Sequence, residues 1–189
     1  MMNSISQISG LSYLPNFIAE TESVALQTHI DNQVWRSDLK RRVQHYGYIY
    51  DYRARAISTD MKLGPLPDWL DELGKTLVEQ SIFPKTPDQV IINEYKPGQG
   101  ISAHIDCVPC FGNVIASLSL GSAVDMNFQK SDRRVSLRLE PQSLLVLNED
   151  ARFKWQHSIT ARKSDRVEGK KVPRSRRVSL TFRTVKIDT

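Results

Sequence analysis

The chain has 189 residues, of which 40% are apolar and 25% charged, the composition of a folded globular protein rather than of a disordered tail. No apolar run approaches the roughly 20 residues that cross a bilayer, so no membrane association is expected. Met1–Gly10 carries no Lys or Arg ahead of its weakly apolar stretch, which argues against a secretory signal and for a cytoplasmic setting, and the net charge of +5 suits a polyanionic partner.

In chain order, the first periodic segment is a helix over Glu20–Ile30, with Thr21 as its candidate cap. A basic knot follows at Arg36, Lys40, Arg41 and Arg42, and leads into an aromatic segment, Val43–Tyr52, that reads as a strand or hairpin arm. Pro65 and Pro67 introduce a second helix, Asp68–Gln80, whose Trp69, Leu70, Leu73, Leu77 and Val78 share one face. The period then changes. Gln89–Tyr95, Ile101–Ile105, Asn113–Leu120, Ala123–Gln129, Arg134–Leu139, Ser143–Leu147, Phe153–His157 and Arg177–Lys186 are short β-like segments separated by turn residues. Such spacing predicts a mainly β (α+β) protein, a jelly roll or double-stranded β-helix with N-terminal helices packed on one sheet.

Lys163–Ser175 is polar, charged and aperiodic, and is expected to be a long exposed loop. From Arg162 to Lys186 there are ten basic residues against two acidic ones, a net +8, so the positive charge is concentrated near the C-terminal end. Basic residues interleaved with aromatics suit a phosphate backbone and stacked bases; an ordinary solvated face is the alternative. The two cysteines, Cys107 and Cys110, form one Cys-x-x-Cys. They are a redox pair, half of a zinc site, or two ordinary thiols.

Chemistry enters with His104 and Asp106. Two apart on an extended segment, both side chains emerge on one face. His157, 53 residues later on what a jelly roll makes a neighbouring strand, supplies a third donor. Two imidazoles and a carboxylate on one face leave positions open for a bidentate 2-oxo acid and dioxygen, the arrangement of non-haem Fe(II) oxygenases. Arg177 and Arg183, six apart, share one strand face with Ser179 and Thr181 between them. Buried carboxylates of a diacid cosubstrate demand such guanidiniums. Alternation also puts Asn93 and Tyr95 on one side, where an amide and a phenol can hydrogen-bond the same cosubstrate.

Taken together, Asn93-x-Tyr95, Pro97-Gly98-x-Gly100-Ile101-x-x-His104-x-Asp106, Ser117-Leu118-Ser119-Leu120-Gly121, Trp155-x-His157-x-Ile159 and Arg177-x5-Arg183 resemble the AlkB family of Fe(II)- and 2-oxoglutarate-dependent dioxygenases. Locally, Asn93–Asp106 and Ser117–Gly121 are most similar to the animal members fused to a tRNA methyltransferase domain, which hydroxylate modified wobble uridines. The resemblance implies one dioxygenase domain over 1–189, with helices and a nucleotide-recognition lid in 1–88 and the jelly-roll core in 89–189. It implies Fe(II) on His104, Asp106 and His157, and 2-oxoglutarate on Asn93, Tyr95, Arg177, Ser179 and Arg183, with Arg177 at the distal carboxylate and Arg183 at the carboxylate beside the keto group. It further implies oxidation of alkyl groups on nucleobases with O2, as repair of alkylated DNA or RNA or as tRNA wobble-base hydroxylation. A hydroxylase of other substrates and a silent nucleic-acid-binding module are the competing readings. The partner expected is a single strand or a flipped base, with no obligate protein partner.

Gly47-Tyr48-Ile49-Tyr50 resembles the family lid, so Tyr48, with Tyr46 or His45 as a stacking ring and Arg41 and Arg42 on the phosphates, is the expected substrate contact set. Two positions depart from the family pattern. Val108 stands where the DNA-repair enzyme has a base-reading acid, and Lys40-Arg41-Arg42-Val43 where a stacking tryptophan is frequent.

Overall fold

The computed structural model describes residues 7–37 and 39–187. Residues 1–6 of the N-terminal stretch read above for a signal lie outside them. The elements are β1 (Leu11–Leu14), α1 (Glu20–Asp31), β2 (Val43–Tyr46), α2 (Asp68–Glu79), β3 (Gln89–Tyr95), β4 (Ile101–His104), β5 (Phe111–Gly121), β6 (Val124–Lys130), β7 (Arg133–Leu139), β8 (Leu144–Leu147), α3 (Glu149–Phe153), β9 (Gln156–Ile159), β10 (Ser164–Val167), β11 (Lys170–Pro173) and β12 (Arg177–Val185). Among the described residues, no helix is long and apolar enough to cross a membrane.

The period-2 pattern of the strands sorts side chains between two layers. β1-β8-β5-β12-β3-β2 form a six-stranded sheet and β4-β9-β6-β7 a four-stranded one, all pairs antiparallel. This is the expected jelly roll. On central strand β12, Val178, Leu180 and Phe182 face α1 and α2 and join a core with Ile30, Leu70, Leu73, Leu77, Ile92 and Leu118. Each such fully buried side chain contributes about 1.5–3 kcal/mol. The alternate residues Arg177, Ser179, Thr181 and Arg183 face the second sheet, across a cavity also lined by Met126, Leu145 and Ile159. A second apolar cluster, with Phe111, Phe128, Leu137, Leu147 and Trp155, closes the space around that cavity.

Several elements differ from the sequence expectation. Helix α1 is capped by Ala19 with no side-chain hydrogen bond, and Thr21 lies inside its first turn, where Glu20 and Glu22 complement the helix dipole. The aromatic arm ends at Tyr46, because Gly47 turns at φ 77° and packs so close to the Asp88 carbonyl that a Cβ would lie 1.8 Å from it. Residues 48–62 continue as a loop pinned by the bridges Tyr48↔Lys62 and Asp51↔Ala56. Phe153 ends a short helix rather than opening a strand, and β1 was not foreseen; its four residues add an edge beside β8.

The segment expected as a loop, Lys163–Ser175, holds the β10–β11 hairpin. Its organiser is polar, so apolar periodicity does not reveal it. Asp165, whose side chain is 1% exposed, accepts 2.7 Å hydrogen bonds from Arg162 Nε and from Arg174 Nε and Nη2. Cys107 and Cys110 are joined in a disulfide, which removes the half-zinc-site and ordinary-thiol readings.

Candidate metal and cosubstrate site

His104 ends β4 and stands opposite His157 of β9, their ring centroids 4.3 Å apart. With Asp106, two residues beyond, they form a group whose ligand atoms all lie within 4.8 Å of one another. The approach of β4 to β9 requires glycine at position 100, where a Cβ would lie 2.2 Å from the Ile159 carbonyl oxygen. His104 Nδ1 is 2.8 Å from the Ser102 carbonyl oxygen, an acceptor only, so Nδ1–H donates to it and Nε2 is left facing Asp106 Oδ1 at 3.5 Å.

Burial works against charge on Asp106, but Arg183, whose Nε donates to Oδ2 at 3.2 Å, and the two imidazoles outweigh it and hold the carboxyl well below the usual carboxylate range. Burial pulls His157 down to about 4, against the pull of Asp106, so its imidazole is neutral at pH 7, the form that ligates metals. A carboxylate with two imidazoles, one side open, is a donor set that fits Fe(II).

Around this group lies a cavity of 680 Å³. Alternation on β12 and β3 brings Arg177, Ser179, Arg183, Asn93 and Tyr95 onto its wall, with Ser179 paired to Asn93 and Arg177 to Tyr95. Arg183 sits at the metal end, with Nη1 donating to Gln89 Oε1 at 3.2 Å and its guanidinium 4.7 Å from the Phe111 ring centroid. Arg177 is 3% exposed, and its Nε and Nη1 have no hydrogen-bond partner among the described residues. Burial pulls its guanidinium down to about 10. A buried cation with two unused donors is costly unless an anion completes it. The terminal carboxylate of 2-oxoglutarate fits that requirement.

The expected substrate residues scatter. Arg41 lines the cavity; its Nε donates to Asn93 Oδ1 at 2.9 Å and its guanidinium lies 5.8 Å from the Tyr95 ring centroid. Arg42 turns to the other face, where it forms a 2.7 Å two-point pair with buried Glu94 and stacks on Trp35 at 4.6 Å. Tyr46 packs edge-on to Trp69 and donates to Gln44 Oε1, burial pushing its phenol up to about 12. His45 Nδ1 accepts from the Tyr50 amide, and Tyr48 lies 6.0 Å from the Lys62 ammonium; neither lines the cavity.

Tyr50, Tyr52 and Arg55 do line it; sequence reading put Tyr50 in the lid motif and Tyr52 at the end of the aromatic segment but selected none of the three as a substrate contact. The two rings meet edge-on at 5.1 Å, and the Tyr52 hydroxyl is buried with no hydrogen-bond partner among the described residues. Arg152 was also missed. Buried at 2% exposure on α3, it donates to the carbonyls of Asp106, Cys107, Phe111 and Gly112 and so clamps the chain that carries Asp106. A lone basic residue in a five-residue helix gives no periodic signal.

The profile of the 2OG-Fe(II) oxygenase superfamily matches residues 10–183. A relative described as "Alkylated DNA repair protein ALKBH8 homolog" from Arabidopsis thaliana is 34% identical over 98% of this chain and 61% of its own length. The Macaca fascicularis "tRNA (carboxymethyluridine(34)-5-O)-methyltransferase ALKBH8" is 42% identical over 78% of this chain but only 23% of its own length. The chain thus spans less than two thirds of either relative. The solved structure of OsALKBH1 shares the fold, with a TM-score of 0.73 and 18% identity over 93% of this chain and 96% of its own. The chain therefore belongs to the 2OG-Fe(II) oxygenase superfamily, among its AlkB-type dioxygenases, which use Fe(II), 2-oxoglutarate and O2.

Proposed function

We propose that the chain is a single dioxygenase domain that oxidises alkyl groups on nucleobases, with oxidative demethylation of alkylated DNA or RNA as its reaction. The observation that carries this reading is the lining of the cavity, where Lys40, Arg41, Arg55, Tyr50 and Tyr52 share the walls with the His104–Asp106–His157 group. Cations placed beside aromatic rings suit a phosphate and an extruded base. The reading includes a single strand or flipped base as partner, no obligate protein partner and a cytoplasmic setting.

In this reading His104, Asp106 and His157 hold Fe(II). Arg177 takes the distal carboxylate of 2-oxoglutarate, Arg183 stands beside its keto-acid end, and Asn93, Tyr95 and Ser179 hydrogen-bond the chain between. When bound, iron and 2-oxoglutarate supply the oxidant: O2 delivers one oxygen to succinate, with loss of CO2, and the other to a substrate C–H bond. A hydroxylated N-methyl group then breaks its C–N bond and leaves as formaldehyde, whereas a hydroxylated carbon on carbon persists. The protein moves no proton as a general acid or base. Its work is to keep Asp106 ionised through Arg183, to fix the His104 tautomer through Ser102, and to exclude water with Phe111, Met126 and Leu145.

Hydroxylation of a tRNA wobble base is the second reading, supported by the 42% identity to the macaque tRNA-modifying relative. One experiment tests both. Mass spectrometry of N-methylated oligonucleotides and of total tRNA after incubation with the protein, Fe(II) and 2-oxoglutarate should show formaldehyde release or a 16 Da gain, absent in His104→Ala. Succinate formation with no nucleobase change in either pool refutes both readings.

A further inference from the structure

A second groove of 520 Å³ adjoins the cavity and shares Lys40, Arg41, Gly100, Ile101, Ser102 and Ile159 with it. Its walls are the chain from Gly98 to Ala103 and the chain from Ser158 to Ala161. Three residues past Ala161 the β10–β11 hairpin begins, and Lys163, between them, packs its side chain near Gly98: a Cβ on that glycine would lie 3.8 Å from Lys163 Cγ.

The hairpin itself is oddly charged. Asp165 is buried on its inner face, so the neighbouring register pair, Arg166↔Lys171, points outward, two cations directly opposite each other. Like charges in that position destabilise a strand pair. Neither has an acidic partner among the described residues, and both are exposed. The repulsion is nonetheless held in place, because Asp165 locks the ribbon through Arg162 and Arg174. A rigid ribbon that presents uncompensated like charges next to a groove opening from the active cavity is organised to meet an anion that the chain does not supply.

We propose that the groove and the β10–β11 hairpin are the path of the nucleic-acid strand flanking the reacting nucleotide, with Lys163, Arg166 and Lys171 on its phosphates. The inference rests on the nucleobase reading above and adds to it a preference for an oligonucleotide over a free nucleoside. A strand carries several phosphates where a small anion offers one, so three separate cations suit a strand, and contacts to phosphate position a strand without reading its sequence.

The test compares the wild type with the triple variant Lys163→Gln, Arg166→Gln, Lys171→Gln. A methylated single-stranded 12-mer is titrated by fluorescence anisotropy across a series of salt concentrations, and turnover of the free methylated nucleoside is followed by succinate release. Loss of three phosphate contacts lowers the slope of log K against log salt by about 2, at roughly 0.7 per contact on a single strand. Nucleoside turnover and 2-oxoglutarate binding stay at wild-type values. An unchanged slope, in a protein that binds and oxidises the 12-mer, overturns the hairpin inference alone. Displacement of the 12-mer by polyglutamate as readily as by unmethylated RNA makes the surface a generic anion patch and overturns it too. If the wild type oxidises neither 12-mer nor nucleoside while still consuming 2-oxoglutarate, it is the nucleobase reading that fails, and the hairpin path falls with it.

Discussion

Replacing Arg177 with methionine separates the cost of building the cosubstrate pocket from its use. Two donors of this buried guanidinium, Nε and Nη1, have no hydrogen-bond partner among the described residues, so no hydrogen bond from them is broken when the charge is removed. Hydrogen bonds to a charged group contribute about 1.5–3 kcal/mol each, so two of them to the distal carboxylate contribute about 3–6 kcal/mol. At 1.4 kcal/mol per tenfold, Arg177→Met should weaken 2-oxoglutarate binding by roughly a hundredfold to ten-thousandfold. Stability should move the other way. A methionine fills similar volume without the desolvation that already pulls the arginine down to about 10, so the ligand-free variant should melt at the same temperature as the wild type or higher. Calorimetric titration of 2-oxoglutarate into protein loaded with Mn(II), which avoids turnover, measures the first effect, and thermal melts without ligand measure the second. Unchanged 2-oxoglutarate affinity together with a lowered melting temperature would show that Arg177 is a structural group and would refute the assignment of the distal carboxylate.

The other expectations follow from single contacts. Gly100→Ala places a Cβ against the Ile159 carbonyl and must push β4 from β9, so Co(II) affinity at His104 and His157 should fall at least tenfold; wild-type affinity would mean that the strand spacing does not set the metal geometry. Arg152→Met removes the guanidinium that donates to the carbonyls of Asp106, Cys107, Phe111 and Gly112, and should cost about 3 kcal/mol in denaturant unfolding and about 10- to 100-fold in metal affinity, the second being the result that a mere packing role would not give. At Asp165, burial opposes the charge but Arg174 and Arg162 outweigh it and lower its pKa, so the stabilisation is complete above the ordinary carboxylate range and is lost as pH falls below it. Asp165→Asn should therefore cost about 3–5 kcal/mol at pH 7 and flatten the acid limb of the stability curve; an unaltered limb refutes the account. Cys107→Ser with Cys110→Ser opens a four-residue loop and should cost about 2 kcal/mol, read as a small drop in melting temperature.

The parts of the fold that were legible in the sequence are those governed by alternation of apolar side chains. β3 and β12 read correctly because Val90, Ile92, Val178, Leu180 and Phe182 must all reach one apolar layer, which forces Asn93, Tyr95, Arg177 and Arg183 to the other side. The meeting of His104 and His157 was legible for the same reason, as they face each other across a strand pair. What was hidden is what polar contacts decide. The β10–β11 hairpin depends on one carboxylate buried among arginines, the arrest of the aromatic arm on a glycine at positive φ, and the clamp on the Asp106 chain on one arginine that donates only to carbonyls. None of these leaves a period. Tyr46 illustrates the limit: an aromatic in a suspected lid has the same letter whether it faces Trp69 or a base, and only the turn at Gly47 decides between them.

Strand β12 carries the helix-facing spine and the cavity-lining Arg177 and Arg183 on alternate residues of a nine-residue stretch. Inserting or deleting a single residue within it would exchange the two sets, driving charges into the layer under α1 and α2 and apolar side chains into the cosubstrate space. The stretch can therefore drift by substitution but not by changes of length, while the 48–62 loop and the β10–β11 ribbon, at the periphery of the frame, are free to lengthen. Change in what this enzyme accepts is thereby channelled to its margins, with its oxidising centre left as it is.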